Sequence, residues 1–164
     1  MVDNLIIFAA KYLIFVMVFI LVGFWLLSNR KIRWQFAAVV ILSGIIALSL
    51  SWLASKFYYH PRPFVVENIK PLVAQEADNS FPSNHMLLAT TLALTIYFYN
   101  RRIGIVMLVL ALLVGLGRIG AHVHSPIDII GSLILAAIGA WLGYWLARKL
   151  FPSSQQAAVD EKDN

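Results

Sequence analysis

The chain has 164 residues, 60% of them hydrophobic and only 13% charged, with a mean hydropathy of +0.78. A soluble domain is about 45–50% apolar and about 25% charged, so the bilayer is the expected solvent for most of this chain. The absence of cysteine excludes a disulfide scaffold, thiolate metal sites and a cysteine nucleophile. The formal charge of +5 points to basic cytoplasmic loops rather than to nucleic acid.

A membrane-spanning helix needs roughly 20 apolar residues. The first candidate covers about residues 5–27, interrupted only by Lys11. It has no basic n-region and no small-residue cleavage site, and its apolar stretch is too long for a signal peptide, so a retained helix is expected. Lys11 lies near its outer end, within snorkelling reach of the headgroups. The second candidate covers about residues 34–54, and a third, shorter and more polar at its start, about 86–99. The fourth and fifth cover about residues 103–123 and 127–150. The expected fold is therefore all-α, a polytopic bundle of about five spanning helices with an outer loop that has room for a short helix. Residues 1–151 read as one transmembrane domain, and 152–164 as a disordered cytoplasmic tail.

Basic residues set the orientation. Arg30, Lys31 and Arg33 lie in the first loop, Arg101 and Arg102 in the third, and Arg148 and Lys149 at the end of the last helix. Five spans put these on one side, which the positive-inside rule makes cytoplasmic. The N-terminus, residues 55–85 and the turn at 122–126 then lie outside, and the C-terminus lies in the cytoplasm.

Ionisable residues beside membrane helices tend to mark function, and here three clusters share that outer side. Lys56 to Pro63 ends the second span, Ser80-Phe-Pro-Ser-Asn-His85 opens the third, and Arg118 to Asp128 joins the fourth to the fifth. Two arginines, a lysine, histidines and one aspartate converging there would form an anion site. His124 and Asp128 are four apart, so a carboxylate can hold one imidazole nitrogen and leave the other free to attack. Pro126 suits an early helical position between them. Arg62 and Arg118 offer planar forks that match phosphate oxygens. Ser83 reads as the N-cap of a helix whose first N–H groups suit a phosphate, with His85 in that turn as a general acid.

These three segments, in this order, resemble the signature of the type 2 phosphatidic acid phosphatase superfamily. Arg62-Pro63, Pro82-Ser83-Asn84-His85, and Arg118, His124 and Asp128 match it at the required spacings. The run from Pro61 to Phe64 followed by Ser-Phe-Pro-Ser-polar-His is similar to the bacitracin-resistance branch, whose members hydrolyse undecaprenyl diphosphate. The resemblance implies that His124 forms a phosphohistidine, Asp128 orients it and His85 protonates the leaving group. It further implies that Arg62, Arg118, Ser83, Asn84 and Lys56 hold the phosphate, and that the chemistry needs no metal or other cofactor. The implied partners are the bilayer and a polyprenyl or glycerolipid phosphate. The implied location is the cell (inner) membrane, with the site at the extracytoplasmic face.

The chain departs from the signature in four respects. Lys56 lies one residue closer to Arg62 than the family spacing, Asn84 replaces a glycine, and Gly117 replaces the serine before Arg118. Many relatives have six spans, whereas five are counted here. Asn84 is expected to suit that position because asparagine accepts unusual backbone angles.

Other readings compete for several residues. His122, two before His124, would face away on a helix and reads as structural or interfacial, and His60 as a headgroup-level residue. Trp52, Tyr58 and Tyr59 read as an aromatic belt, Glu67, Glu76 and Asp78 as solvated loop charges, and residues 64–77 as a surface lid. Gly139-x-x-x-Gly143 and Ala136-x-x-x-Ala140 offer small faces for packing within the chain. Phosphatidylglycerophosphate or phosphatidic acid is the alternative substrate. A protein that binds or flips lipid phosphates without cleaving them is the alternative class, against which the His124–Asp128 pair argues.

Overall fold

A computed structural model describes residues 1–151, and the expected tail at 152–164 lies outside them. The chain forms α1 (Val2–Leu27), α2 (Arg30–Phe57), the one-turn α3 (Pro63–Val66), α4 (Asn84–Tyr97), α5 (Arg101–Gly120) and α6 (Pro126–Leu150). The described residues contain no β-strand, only an isolated bridge between Pro61 and Asn79. The protein is thus the expected all-helical membrane bundle. Four of its helices, α1, α2, α5 and α6, are long and apolar enough to cross a bilayer.

α4 differs from the other long helices. Its 14 residues reach about 21 Å at 1.5 Å per residue, short of a hydrocarbon core of roughly 30 Å. It packs against α1, α2, α5 and α6, and no residue after Asn84 is exposed. Its threonines therefore need no lipid-compatible face. Thr91 donates to the Leu87 carbonyl at 2.8 Å and Thr95 to that of Leu92 at 2.8 Å, within the helix itself. The outer helices turn large apolar side chains such as Phe19, Ile41, Val106 and Trp141 outward, the arrangement a lipid solvent demands.

Small residues let the helices meet closely. A Cβ on Gly139 would lie 2.8 Å from the Ala47 Cα, and one on Gly143 would lie 2.5 Å from the Ser43 Cα. The small face of α6 is thus used within the chain, against α2. A Cβ on Gly117 would lie 2.7 Å from the Ala10 nitrogen. Gly117 is therefore the point at which α1 reaches α5, in the turn of α1 that is π-wound over Phe8–Tyr12.

One end of the bundle is fastened by the Gln35 amide, which donates to the Phe151 carbonyl at 2.9 Å and accepts from the Tyr99 hydroxyl at 3.4 Å. The start of α2 and the ends of α4 and α6 meet there. At the same end Arg33 donates to the Leu26 and Ser28 carbonyls at the close of α1. The three expected clusters meet at the other end.

Candidate active site

Asn79 organises the loop between α2 and α4. Its amide nitrogen donates to the Ser55 and Tyr58 carbonyls, each at 3.0 Å, and its oxygen accepts from the His60 and Phe81 N–H groups. The Ser80 N–H donates to the His60 carbonyl at 2.8 Å. The loop also binds the α5–α6 turn, where the Phe64 N–H donates to the His122 carbonyl and the Leu72 N–H to that of Ala121. Residues 58–64, 72–82 and 121–124 are thereby held as one unit.

The α5–α6 turn delivers the central pair. His122 takes a positive φ of 60° and points to Glu67, its Nδ1 3.3 Å from the carboxylate. Ser125 caps α6 and Pro126 opens it, as the sequence predicts for a helix starting between His124 and Asp128. Asp128 closes the capping box by accepting from the Ser125 N–H at 2.7 Å. Its carboxylate is fully buried. Oδ2 accepts from the Ser80 hydroxyl and lies 3.5 Å from His124 Nδ1. The Ser80 oxygen lies 3.3 Å from the same Nδ1. With Ser80 donating to Asp128, its oxygen accepts from His124 Nδ1. That nitrogen then carries the proton, and Nε2, across the ring, keeps its lone pair. Burial holds the His124 imidazole below the ordinary histidine range. The Asp128 hydrogen bond opposes that shift, and the Arg118 and Arg62 charges add to it.

His124 faces a cavity of about 490 Å³, which Arg62, Arg118, His85 and Asn84 also line. Arg62 is buried. Its Nε and one terminal nitrogen donate to Asp78, at 2.8 and 2.7 Å, and the other terminal nitrogen donates to the Val123 carbonyl at 2.9 Å. Arg118 donates to Gln75 Oε1 at 2.7 Å and, at 3.5 Å, to the Ala10 carbonyl in the π-wound turn. Two buried polar atoms here have no hydrogen-bond partner among the described residues, Arg118 Nε and Ser83 Oγ. Ser83 occupies the N-cap of α4, but its hydroxyl caps no N–H. Unsatisfied buried polar atoms are costly, and two beside an arginine fork and a helix N-terminus suit an anion. Among the described residues, no group of three or more His, Asp or Glu side chains could hold a metal ion.

The structure brings seven of the eight sequence-predicted residues together, namely His124, Asp128, His85, Arg62, Arg118, Ser83 and Asn84. Lys56 stands apart on the exposed face of α2, its ammonium 5.5 Å from the centre of the Trp52 ring. Asn84 has an ordinary helical backbone and accepts from the Ser51 hydroxyl at 3.0 Å, so no unusual angle explains it. Four residues of the site were not assigned to it from sequence: His60, Gln75, Asn79 and Ser80. Asp78, read as a solvated charge, is exposed yet pairs with Arg62. Ser80 adjoins the Pro82-Ser83-Asn84-His85 motif, the only signal that could have found it. Gln75 and Asn79 carry no signal in a single sequence.

Comparison with known proteins places the chain in a family and a fold. The sequence profile of the PAP2 superfamily matches residues 32–152. The undecaprenyl-diphosphatase BcrC of Bacillus subtilis (strain 168) is 33% identical over 150 residues, 92% of this chain and 77% of the relative. A Bacillus licheniformis relative, named bacitracin transport permease protein BcrC, is 31% identical over 163 residues, 99% of this chain and 80% of its own. The putative undecaprenyl-diphosphatase YbjG of Escherichia coli (strain K12) is 35% identical over 138 residues, 83% of this chain and 69% of its own. The crystal structure of Aquifex aeolicus LpxE has the same fold, with a TM-score of 0.66 at 22% identity, over 85% of this chain and 81% of that one.

Proposed function

The chain belongs to the PAP2 superfamily, and from that premise we propose that it is a membrane lipid phosphatase that converts undecaprenyl diphosphate to undecaprenyl phosphate and inorganic phosphate. The names of the Bacillus subtilis and Escherichia coli relatives support this substrate. The observation that carries the reaction is the chain from His124 through Ser80 to Asp128, which occupies one imidazole nitrogen of a histidine that lines a cavity with two arginines.

In the first step His124 Nε2 attacks the terminal phosphorus and the bond from phosphorus to the bridging oxygen breaks. His85, whose pKa burial and the Arg118 charge lower to about 4 in the free protein, takes up a proton beside the anionic substrate and gives it to that oxygen. Asp128, through Ser80, supports the imidazolium that results. Arg118, with its unpartnered Nε, and Ser83 hold the phosphoryl oxygens as charge builds. In the second step a water attacks the phosphohistidine and His85 takes its proton. The P–N bond then breaks, returning its electron pair to Nε2 and releasing phosphate.

The basic residues near the end opposite the site, Arg30, Arg33, Arg101, Arg102, Arg148 and Lys149, support a cytoplasmic placement of that end. The site would then open at the extracytoplasmic face, with the N-terminus outside and the C-terminus inside. Labelling of cysteines introduced singly into the loop and the tail tests this, because the chain has none of its own.

The name of the Bacillus licheniformis relative supports a second reading, transport. A carrier of lipid headgroups needs the arginines but has no use for an imidazole oriented by a carboxylate. Phosphate release by the purified protein in detergent with EDTA, from undecaprenyl diphosphate and from phosphatidic acid, separates the two. Release from undecaprenyl diphosphate that disappears in His124→Ala is expected. No release from either lipid would favour transport, and preference for phosphatidic acid would reassign the substrate.

A further inference from the structure

Asp128 has two carboxylate oxygens, and the chemistry above uses one. Oδ2 faces Ser80, the Ser125 N–H and His124. Oδ1 lies 3.1 Å from His60 Nδ1, and among the described residues no other side chain bonds it. This contact is shorter than the 3.5 Å between Asp128 and His124.

His60 is itself firmly held. Its backbone N–H donates to the Asn79 side chain at 2.9 Å, and its carbonyl accepts from the Ser80 N–H at 2.8 Å. Its ring stacks on Tyr58, at 6.0 Å between centroids and 12° between planes. Pro61 follows it and restricts its backbone to extended conformations. The polar contacts of the ring are Asp128 and, at 3.4 Å, the Ser125 hydroxyl. The residue bound by the His60 carbonyl, Ser80, is also the one that links His124 to Asp128. The same few residues therefore fix both imidazoles relative to the carboxylate.

We propose that His60 is a positioning residue, which donates its Nδ1 hydrogen to Asp128 Oδ1 and so fixes the plane in which Oδ2 meets Ser80 and His124. A carboxylate bonded through one oxygen can rotate about its Cβ–Cγ bond. Bonded through both, it presents Oδ2 at one angle. The nucleophile is then held ready to attack, where a misplacement of about 1 Å can cost on the order of a hundredfold in rate. His60 does not line the cavity that His124 faces, so it acts through Asp128. This role rests on His124 being the nucleophile.

The test compares His60→Ala and His60→Asn with wild type and His124→Ala, by steady-state release from undecaprenyl diphosphate and by thermal unfolding. The amide nitrogen of asparagine falls close to where Nδ1 stands, so it can restore the bond. His60→Ala should lower kcat about 10- to 100-fold with KM changed by less than about twofold, the range found when a partner orienting a reactive group is removed. His60→Asn should recover kcat to within about threefold. In an Asp128→Asn background the alanine change should cost little more, because it acts only through that carboxylate. Full activity in His60→Ala would overturn the proposal while leaving His124 as nucleophile. A loss that asparagine does not restore, or that falls on KM and unfolding temperature alone, would reduce His60 to a structural role. Wild type that releases no phosphate, or His124→Ala that still does, would overturn the reaction itself and this role with it.

Discussion

At the site end of the bundle, polar groups from three distant stretches of chain converge. Asp128 meets His124, His60, Ser80 and Ser125, while Asn79 alone joins Ser55, Tyr58, His60 and Phe81. Midway along, α2 and α6 meet through Ala47 against Gly139 and Ser43 against Gly143, with one hydrogen bond of 3.4 Å from Ser43 to the Ala140 carbonyl. In the first region the identity of each side chain matters, because its donors and acceptors have fixed partners. In the second only size matters. Substitutions in the first should therefore remove rate before stability, and those in the second stability before rate.

The sharpest test of that division is Arg118→Ala, which removes the fork carrying the unpartnered Nε. We expect kcat/KM to fall on the order of a hundredfold or more in steady-state assays, with lysine restoring only part because it lacks the planar fork. A change of less than threefold would break the comparison on the site side. The acid limb of the rate comes next. In the proposed mechanism neutral His124 is the attacking form, and burial lowers its pKa. Its nucleophilic fraction therefore persists as pH falls below the ordinary histidine value of about 6.5. The acid limb of a kcat/KM profile should lie below that value. The same depression makes stability greatest above about pH 6.5 and lost as pH falls toward the lowered value.

On the packing side, Gly139→Val brings a Cβ to 2.8 Å from the Ala47 Cα. Overpacking costs about 1–3 kcal/mol, seen as a lower unfolding temperature with kcat unchanged in the protein that remains folded. The smallest effect is expected from Lys56→Ala. Its ammonium lies over Trp52 rather than in the cavity, so kcat/KM should change by less than about threefold.

The same division decides how much was legible in the sequence. His124, Asp128, His85, Arg62 and Arg118 could be read because phosphoryl chemistry tolerates few alternatives at those positions. Asn79 and Gln75 could not, because they act through contacts made only once the loop has folded. His60, read as a headgroup-level residue, reaches Asp128 because the Pro61–Asn79 bridge turns its segment inward. The third span was placed close to its true extent but is too short to cross alone. Its neighbours, rather than lipid, cover its threonines. Gly117, which departs from the signature by replacing a serine, lets α1 approach α5 closely, a packing role that the motif alone does not reveal.

The central claim is that His124 carries the phosphoryl group. Brief reaction with undecaprenyl diphosphate labelled in its terminal phosphate, quenched in alkali, tests it directly. Wild type should hold protein-bound label that is stable to base and labile to acid, while His124→Ala should hold none and release no phosphate. A His124→Ala protein that still turns over, or that still takes up the label, would contradict the account.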